Sequence, residues 1–287
     1  RFIEETIQSC TLEQLMTLDS LDDNDRMLVT GAAGTGKTVI AVEAFCRAVK
    51  SGEKVLLLCF NRYLGLKLQR ELEGFLTSEN ATNRAQIHTL HSYMLKVTNI
   101  KTPEKPSSFF WRETLPALAI ERLLDNKAPV EVLTDPALLI VDEAQDLMLP
   151  TYLDCLEAIL GSDFDESRWL LLGDFKNQSI YEGDIQFLEE KCLMSFTRFS
   201  LTRNCRNAGQ VAGQIKLVFR VQPEYRVTLP NLDGAEASVI FWRGPSDQSL
   251  KLSDTLKHYL HIFAPEEVHI LTPNRISRAI EGMSPEW

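Results

Sequence analysis

The chain has 287 residues, which is enough for about two domains of ordinary size. Its 44% hydrophobic and 24% charged residues are typical of a globular protein and exclude collagen, a coiled coil and a largely disordered chain. The net charge of −10 argues against a surface that is basic throughout, but not against a local basic groove.

Short apolar runs alternate with helical stretches, a pattern typical of βα units and a parallel sheet. The predicted strands are residues 26–30, 54–59, 85–88, 138–142, 169–173, 237–242 and 268–271. The predicted helices are residues 37–50, 62–75, 111–124, 149–160, 207–221, 248–263 and 276–281. Two of the strands are apolar at every position, as expected where helices cover both faces of a sheet. Pro116 should kink the third helix or delay its start.

No apolar run approaches the about 20 residues of a membrane span, and the opening residues lack the apolar core of a secretory signal. None of the six cysteines forms a Cys-x-x-Cys pair, and several lie in apolar patterns. These features predict reduced, buried thiols in a cytoplasmic protein that has no membrane partner.

A glycine-rich segment connects the first predicted strand to the first predicted helix. It matches the pattern G-x-x-x-x-G-K-[ST] without a gap. Its glycines let successive backbone N–H groups turn toward phosphate oxygens, and the helix N-terminus attracts an anion. The residues predicted to bind a nucleoside triphosphate are Gly31, Ala32, Ala33, Gly34, Thr35, Gly36, Lys37 and Thr38. Lys37 would reach the β- and γ-phosphates, and the Thr38 hydroxyl would coordinate Mg²⁺.

Two acids end the buried strand at 138–142. Asp142 suits a role as a Mg²⁺ ligand, and Glu143 could activate a water molecule as a general base. A small-molecule kinase needs no such base, because the substrate itself is the nucleophile, so hydrolysis is favoured over kinase activity. A further buried strand ends at Asp174, and Gln178 follows it as a candidate sensor of the γ-phosphate.

These elements, in this order, resemble the motor core of superfamily 1 helicases of the UvrD/Rep type. Four further segments are similar to motifs of that family: Thr11-Leu-Glu-Gln14, Cys59-Phe-Asn-Arg62, Thr89-Leu-His-Ser92 and Leu201-Thr-Arg-Asn-Cys-Arg206. The resemblance implies an α/β fold of the P-loop NTPase class. Residues 1–195 would form a complete RecA-like lobe with a small insertion at about 93–135, and residues 196–287 a partial second RecA-like lobe.

The resemblance also implies roles for single residues. Gln14 would read the adenine edge, and Arg206 would reach across the cleft from the second lobe as an arginine finger. The implied nucleic-acid path contains Asn61, Arg62, His91 and Tyr181. The implied cofactors are ATP and Mg²⁺, and the implied partner is single-stranded DNA or RNA.

The chain departs from the family pattern at four places. Cys205 stands where the family has a Tyr that stacks on adenine, and Glu182 where it has a Trp that stacks on a base. The loop before Gln178 has one extra residue, and the chain ends before motifs V and VI. We therefore expect a piece of a larger motor that hydrolyses ATP weakly on its own, with flanking nuclease or helicase domains outside it. The alternative is an ATP-operated regulatory or switch module of a nuclease or defence protein that does not unwind duplexes.

Overall fold

The computed structural model describes residues 12–175, 185–192, 196–206, 227–228 and 240–270. The chain divides into two compact units, Arg1–Ala235 and Glu236–Trp287. Most of the described residues belong to the first unit, which contains the site discussed below.

The first unit alternates helices with strands along the chain. Its described α-helices are α1 (Leu12–Asp19), α2 (Lys37–Lys50), α3 (Arg62–Ser78), α4 (Leu90–Thr98), α5 (Leu115–Leu124), α6 (Pro150–Leu160) and α7 (Ile185–Lys191). Its described strands are β1 (Arg26–Gly31), β2 (Val55–Cys59), β3 (Ala85–Thr89), β4 (Leu138–Asp142), β5 (Trp169–Gly173), β6 (Thr197–Leu201), β7 (Arg203–Asn204) and β8 (Val227–Thr228). A π-helical turn (Phe110–Thr114) precedes α5, and a 3₁₀ turn (Ala144–Leu147) follows β4.

Six of these strands form one parallel sheet in the order β3-β2-β4-β5-β1-β6. Strand β5 therefore lies between β1, which leads into the glycine-rich segment, and β4, which ends in Asp142. The carboxyl ends of the strands meet at one edge of the sheet, where ligands of open α/β folds bind. Strands β7 and β8 form a separate parallel pair.

Helices cover both faces of the six-stranded sheet. Along β2, Leu56 and Leu58 pack into the core beneath α4, α5 and α6, whereas Val55 and Leu57 pack into the core beneath α1, α2 and α3. Because side chains alternate across a strand, a strand covered on both faces must be apolar at every position. This confirms the predicted α/β class and explains the continuous apolar runs.

The start of α5 shows the effect of Pro116. Pro116 has no N–H to donate to the carbonyl of Arg112, and the backbone widens here, with the Leu115 N–H donating to the Phe110 carbonyl. The Thr151 hydroxyl, at the start of α6, donates to the Arg112 carbonyl over 2.7 Å. The Arg112 carbonyl, which has no N–H donor at position 116, therefore accepts a hydrogen bond from α6, and this bond fixes the insertion to that helix.

Strand β6 extends the first unit further than the sequence indicates. It pairs with β1 over five residues, so the boundary placed at residue 195 falls before the last strand of this sheet. The division between the compact units lies after Ala235 instead. An edge strand such as β6 alternates half-buried and exposed residues, which weakens its apolar pattern in the sequence.

In the second unit, the described residues form helix α8 (Pro245–Leu260) and a 3₁₀ turn (Pro265–Glu267). The structure has no strand at residues 240–242 and 268–270, the described parts of two predicted strands. A strand requires a neighbour to satisfy its backbone, and apolar composition alone does not provide one. The predicted helices at 207–221 and 276–281 lie outside the described residues.

Candidate nucleotide-binding site

The glycine-rich segment forms a tight loop between β1 and α2. Gly34 and Gly36 adopt φ angles of +86° and +87°, in the left-handed region that glycine tolerates at no steric cost. At Gly36 a Cβ atom would lie 1.9 Å from the Gln14 side-chain nitrogen. Glycine therefore has a geometric reason at both positions, of which the sequence pattern requires only Gly36, and the loop ends at the N-terminus of a 14-residue helix.

Lys37 is folded back into this loop. Its Nζ donates to the carbonyls of Gly31 and Ala32 over 2.7 and 3.3 Å, and its side chain is buried. Burial lowers the pKa of Lys37, opposed by the charges of three nearby carboxylates, those of Glu143, Asp174 and Asp142. The ammonium thus lies between the loop carbonyls and an acidic region.

Thr38 and Asp142 meet across the sheet edge, although β1 and β4 are not neighbours. The Thr38 hydroxyl donates to Asp142 Oδ2 over 2.6 Å, and Asp142 is fully buried. Burial, together with the neighbouring Glu143, raises the pKa of Asp142 to about 6, although the hydrogen bond from Thr38 acts to lower it. Hydroxyl and carboxylate oxygens are the donors that Mg²⁺ prefers, so this pair fits the metal predicted from the sequence.

Glu143 follows Asp142 in a left-handed backbone conformation, with φ of +55°. Such a conformation is uncommon for a residue other than glycine and turns the chain sharply after β4. Its N–H donates to Asp142 Oδ1 over 3.0 Å. The turn separates the two carboxylates, so that Asp142 is buried while Glu143 remains partly exposed.

Helix α1 contacts the loop through Gln14, whose side chain is 2% exposed. Its Nε2 donates to the Thr35 carbonyl over 2.8 Å and lies 3.8 Å from the Cys205 sulfur. Gln14 and Cys205, which the sequence analysis connected with adenine, are therefore adjacent. In this structure the Gln14 amide is bonded to the loop backbone.

The segment after β6 contacts the loop from another side. The Cys205 N–H donates to the Gly34 carbonyl over 2.7 Å, and a Cβ at Gly34 would lie 3.3 Å from Arg206 Cβ. The charge of Arg206 is close enough to lower the pKa of Lys37. Arg206 is thus beside the glycine-rich loop and in the same compact unit as that loop.

Three residues of the predicted nucleic-acid path lie after β2 and β3. The Asn61 side chain caps α3 by accepting from the N–H groups of Tyr63 and Leu64, while Arg62 is exposed at the first position of that helix. His91 lies in the first turn of α4, which begins with a capping box formed by Thr89 and Ser92. Asn61 and the Thr89–Ser92 pair therefore have structural roles in addition to any contact with a strand.

His91 is surrounded by aromatic rings. Its ring centroid is 5.6 Å from that of Phe60, 5.0 Å from Trp111 and 5.7 Å from Tyr152. Its Nε2 is 2.9 Å from the Tyr152 hydroxyl, and burial lowers the pKa of His91 to about 4. We call Phe60, His91 and Trp111 the aromatic cluster. The sequence analysis identified only His91, because Trp111 comes from the insertion.

Gln178 and Tyr181 lie outside the described residues. Five cysteines are free thiols in the part of the chain that the structure covers, and four of them are buried, with Cys205 the half-buried exception. The described helices include none that is both long and apolar enough to cross a membrane. Among the same residues there is no cluster of three or more histidine, cysteine or acidic side chains that could hold a metal.

Comparison with protein families identifies the region that holds this site. The family model AAA_19, described as an AAA domain, matches residues 14–184. This match covers more than half of the chain. It includes Gln14, the glycine-rich loop at residues 31–38, which we call the phosphate loop, and the two acids Asp142 and Glu143. The chain belongs to this AAA domain family. A comparison with curated proteins gives no match.

Two solved structures are similar to this AAA domain protein. The crystal structure of Pif1 helicase from Candida albicans has 17% sequence identity and a TM-score of 0.41, with 67% of this chain and 39% of that chain covered. The Pyrococcus furiosus Hef helicase domain has 12% identity and a TM-score of 0.42, with 68% and 38% covered. The chain thus spans about two fifths of each of those structures.

Proposed function

We propose that this AAA domain protein is the ATP-hydrolysing motor core of a helicase or translocase of the UvrD/Rep type, acting on single-stranded DNA or RNA. The observation that carries the proposal is the meeting of the Thr38 hydroxyl with the Asp142 carboxylate at 2.6 Å, beside the phosphate loop. These two residues belong to elements about 100 positions apart in sequence, and each is the side chain expected at its place in a nucleotide site.

The phosphate loop would hold the nucleotide through its backbone N–H groups and Lys37. On binding, the Lys37 ammonium would exchange the Gly31 and Ala32 carbonyls for phosphate oxygens. Thr38 and Asp142 would hold Mg²⁺, which supplies charge neutralisation for the β- and γ-phosphates. A bound cation favours the ionised form of Asp142 and so offsets the cost of burying that carboxylate.

Hydrolysis would depend on Glu143 and Arg206. Glu143 would accept a proton from a water molecule attacking the γ-phosphate, and its partial exposure directly beside Asp142 supports this role. Arg206 lies beside Gly34 of the loop and would stabilise the charge that develops on the phosphate oxygens. Gln178 remains a proposed sensor of the γ-phosphate.

The aromatic cluster supports a nucleic-acid path at the same sheet edge. Phe60 and Trp111 are partly exposed, while Arg62 and Tyr63 are exposed at the start of α3, with Tyr63 at 79%. Aromatic rings together with a cationic side chain suit the binding of single-stranded nucleic acid, since stacking of a base on an aromatic ring contributes about 1–3 kcal/mol. A nucleic-acid strand bound at this edge of the sheet would lie close to the bound nucleotide.

The test is ATP hydrolysis by the purified protein with and without single-stranded oligonucleotides of DNA and RNA. We expect binding of a fluorescent ATP analogue in the presence of Mg²⁺, and hydrolysis that rises when an oligonucleotide is added. Glu143→Gln should lower the rate by at least about 100-fold while retaining nucleotide binding. Failure to bind ATP would contradict the proposal.

The proposed nucleic-acid path is tested with separate variants. Arg62→Ala with Tyr63→Ala should weaken oligonucleotide binding and reduce stimulation, with nucleotide affinity unchanged. Arg122→Ala, at an exposed position of α5, is the matched control and should change neither. Hydrolysis that no oligonucleotide stimulates would favour the ATP-operated switch, which the absence of a stacking Trp at position 182 also favours.

A further inference from the structure

Gln145 lies at the centre of a hydrogen-bond network that connects the acidic turn to strand β5. It is 3% exposed, within the 3₁₀ turn after Glu143. Its Nε2 donates to Glu143 Oε2 over 2.9 Å and to Asp146 Oδ2 over 3.1 Å. Its Oε1 accepts from the Asp174 N–H over 3.0 Å. One buried amide therefore contacts two carboxylates and the backbone at the end of β5.

The orientation of this amide is fixed by its partners. A backbone N–H can only donate, so the Gln145 oxygen must face Asp174. The NH₂ group must then face the two carboxylates, which as ionised groups can only accept. Neither glutamate nor an apolar side chain at position 145 could satisfy both sides.

The end of β5 is shaped to admit Gln145. A Cβ atom at Gly173 would lie 2.7 Å from Gln145 Oε1. Glycine at this position lets the amide approach the β5 backbone, and the following N–H, that of Asp174, completes the contact. The contact thus depends on Gln145, which follows β4, and on Gly173 at the end of β5, two residues that are distant in sequence.

We propose that Gln145 is a positioning residue for hydrolysis: it holds the Glu143 carboxylate in its orientation and fixes that carboxylate to the carboxyl end of β5. Glu143 needs such support because its left-handed backbone places it on a sharp turn, where its side chain is partly exposed. A general base must be held within hydrogen-bond reach of the water it activates, and small displacements are costly in rate. This inference rests on the proposed role of Glu143.

The test measures kcat and KM for ATP in Gln145→Glu and Gln145→Met. Gln145→Glu keeps the acceptor for Asp174 but places a third carboxylate against Glu143 and Asp146, whereas Gln145→Met removes both functions at similar volume. We expect kcat to fall by roughly 10- to 100-fold in both variants, with KM and the affinity for a fluorescent ATP analogue within about 3-fold of the parent. A residue that only stabilised the fold would not separate kcat from KM in this way.

Gln86→Glu is the matched control. Gln86 also links a strand to a loop, with Nε2 donating to the Glu131 carbonyl over 2.7 Å and Oε1 accepting from the Leu133 N–H over 3.3 Å. Gln86 lies in β3 and contacts neither Glu143 nor Asp146, so its substitution should leave kcat unchanged. A loss of kcat in Gln86→Glu as large as that in Gln145→Glu would overturn the proposal.

A second measurement separates positioning from general damage. In the Glu143→Gln background, adding Gln145→Met should lower the residual single-turnover rate no further, because the carboxylate being positioned is already gone. An additive loss, or a Gln145→Glu variant with parental kcat, would contradict the inference. If the parent protein itself neither binds nor hydrolyses ATP, the proposed function fails, and the inference fails with it.

Discussion

The Glu13 carboxylate accepts hydrogen bonds from both the backbone N–H and the hydroxyl of Thr202. The distances are 3.0–3.1 Å to the nitrogen and 2.9 Å to the hydroxyl oxygen, and the Arg203 N–H donates to the same carboxylate over 3.1 Å. Helix α1, whose Gln14 contacts the phosphate loop, thereby also holds the segment that leads to Arg206. Both sides of the nucleotide site are fixed by consecutive residues of one short helix.

Replacing Glu13 with Gln should loosen this connection. Hydrogen bonds to a charged acceptor contribute about 1.5–3 kcal/mol, and the amide would retain only part of them, so we expect the free energy of unfolding to fall by about 1–2 kcal/mol. Urea denaturation measures the change. Glu121→Gln, at an exposed position of α5, should have almost no effect. An equal loss in the two variants would show that the Thr202 contacts are unimportant.

Gly36→Ala should damage the phosphate loop. The substitution forces a left-handed backbone on a residue with a Cβ atom and brings that atom against the Gln14 side chain. We expect affinity for ATP with Mg²⁺ to fall more than about 10-fold, as measured by titration with a fluorescent analogue.

Gly74→Ala is the control for that change. Gly74 lies in α3, with open space where a Cβ would be placed, so alanine should raise the free energy of unfolding by about 0.5–1 kcal/mol and leave ATP affinity unchanged. Equal ATP affinity in the parent and Gly36→Ala would refute the geometric account of the loop.

Arg206→Ala should lower kcat by at least about 100-fold while leaving ATP affinity nearly unchanged, because the guanidinium would act on charge that develops during hydrolysis. Arg198→Ala is the control, since Arg198 on β6 pairs with Glu189 and lies over the Phe196 ring at 4.8 Å. The measurement is steady-state hydrolysis combined with equilibrium binding. A rise in KM at constant kcat would assign Arg206 to ground-state binding instead.

His88 and His91 should make stability depend on pH. Burial lowers the pKa of each to about 4, below the ordinary 6.5, so between these values the unfolded chain binds more protons. Their contribution to stability is therefore fully present above pH 6.5 and is lost as the pH falls toward 4. We expect the free energy of unfolding to decrease over that window as the pH falls, by at most about 1.4 kcal/mol per pH unit for each histidine.

The double variant His88→Gln, His91→Gln should flatten this pH dependence, whereas His258→Gln, exposed on α8, should leave it unchanged. Denaturation in urea at several pH values between 4 and 7.5 is the measurement. An unaltered slope in the double variant would assign the pH dependence to other groups.

The sequence predicts the central strands and the phosphate loop because their signals are local. Strands β4 and β5 are confirmed with their predicted bounds, since a strand covered on both faces is apolar throughout. The sequence analysis does not predict helix α4, because it interprets Thr89-Leu-His-Ser92 as part of the nucleic-acid path. The helix start is nevertheless encoded there, since Thr89 and Ser92 form a capping box. Contacts between distant residues, such as that of Glu13 with Thr202, leave no periodic signal in the sequence.

Gln145 shows a second limit of the sequence. It lies two residues after Glu143, yet its role depends on Gly173 and Asp174, which reach it only because β4 and β5 are adjacent in the sheet. Trp111, in the π-helical turn before α5, packs against the core and also contacts His91, and this second contact depends on the fold rather than on a local pattern.

The placement of β5 between β1 and β4 has a mechanical consequence. Strands in a sheet are about 4.8 Å apart, so the phosphate loop and Asp142 originate about 10 Å from each other, with the end of β5 between them. A nucleotide and metal held by the loop and by Asp142 together would be bound next to Gly173 and Asp174. Any change in the width of this gap, on binding or on loss of the γ-phosphate, would act directly on Gly173 and Asp174 at the end of β5.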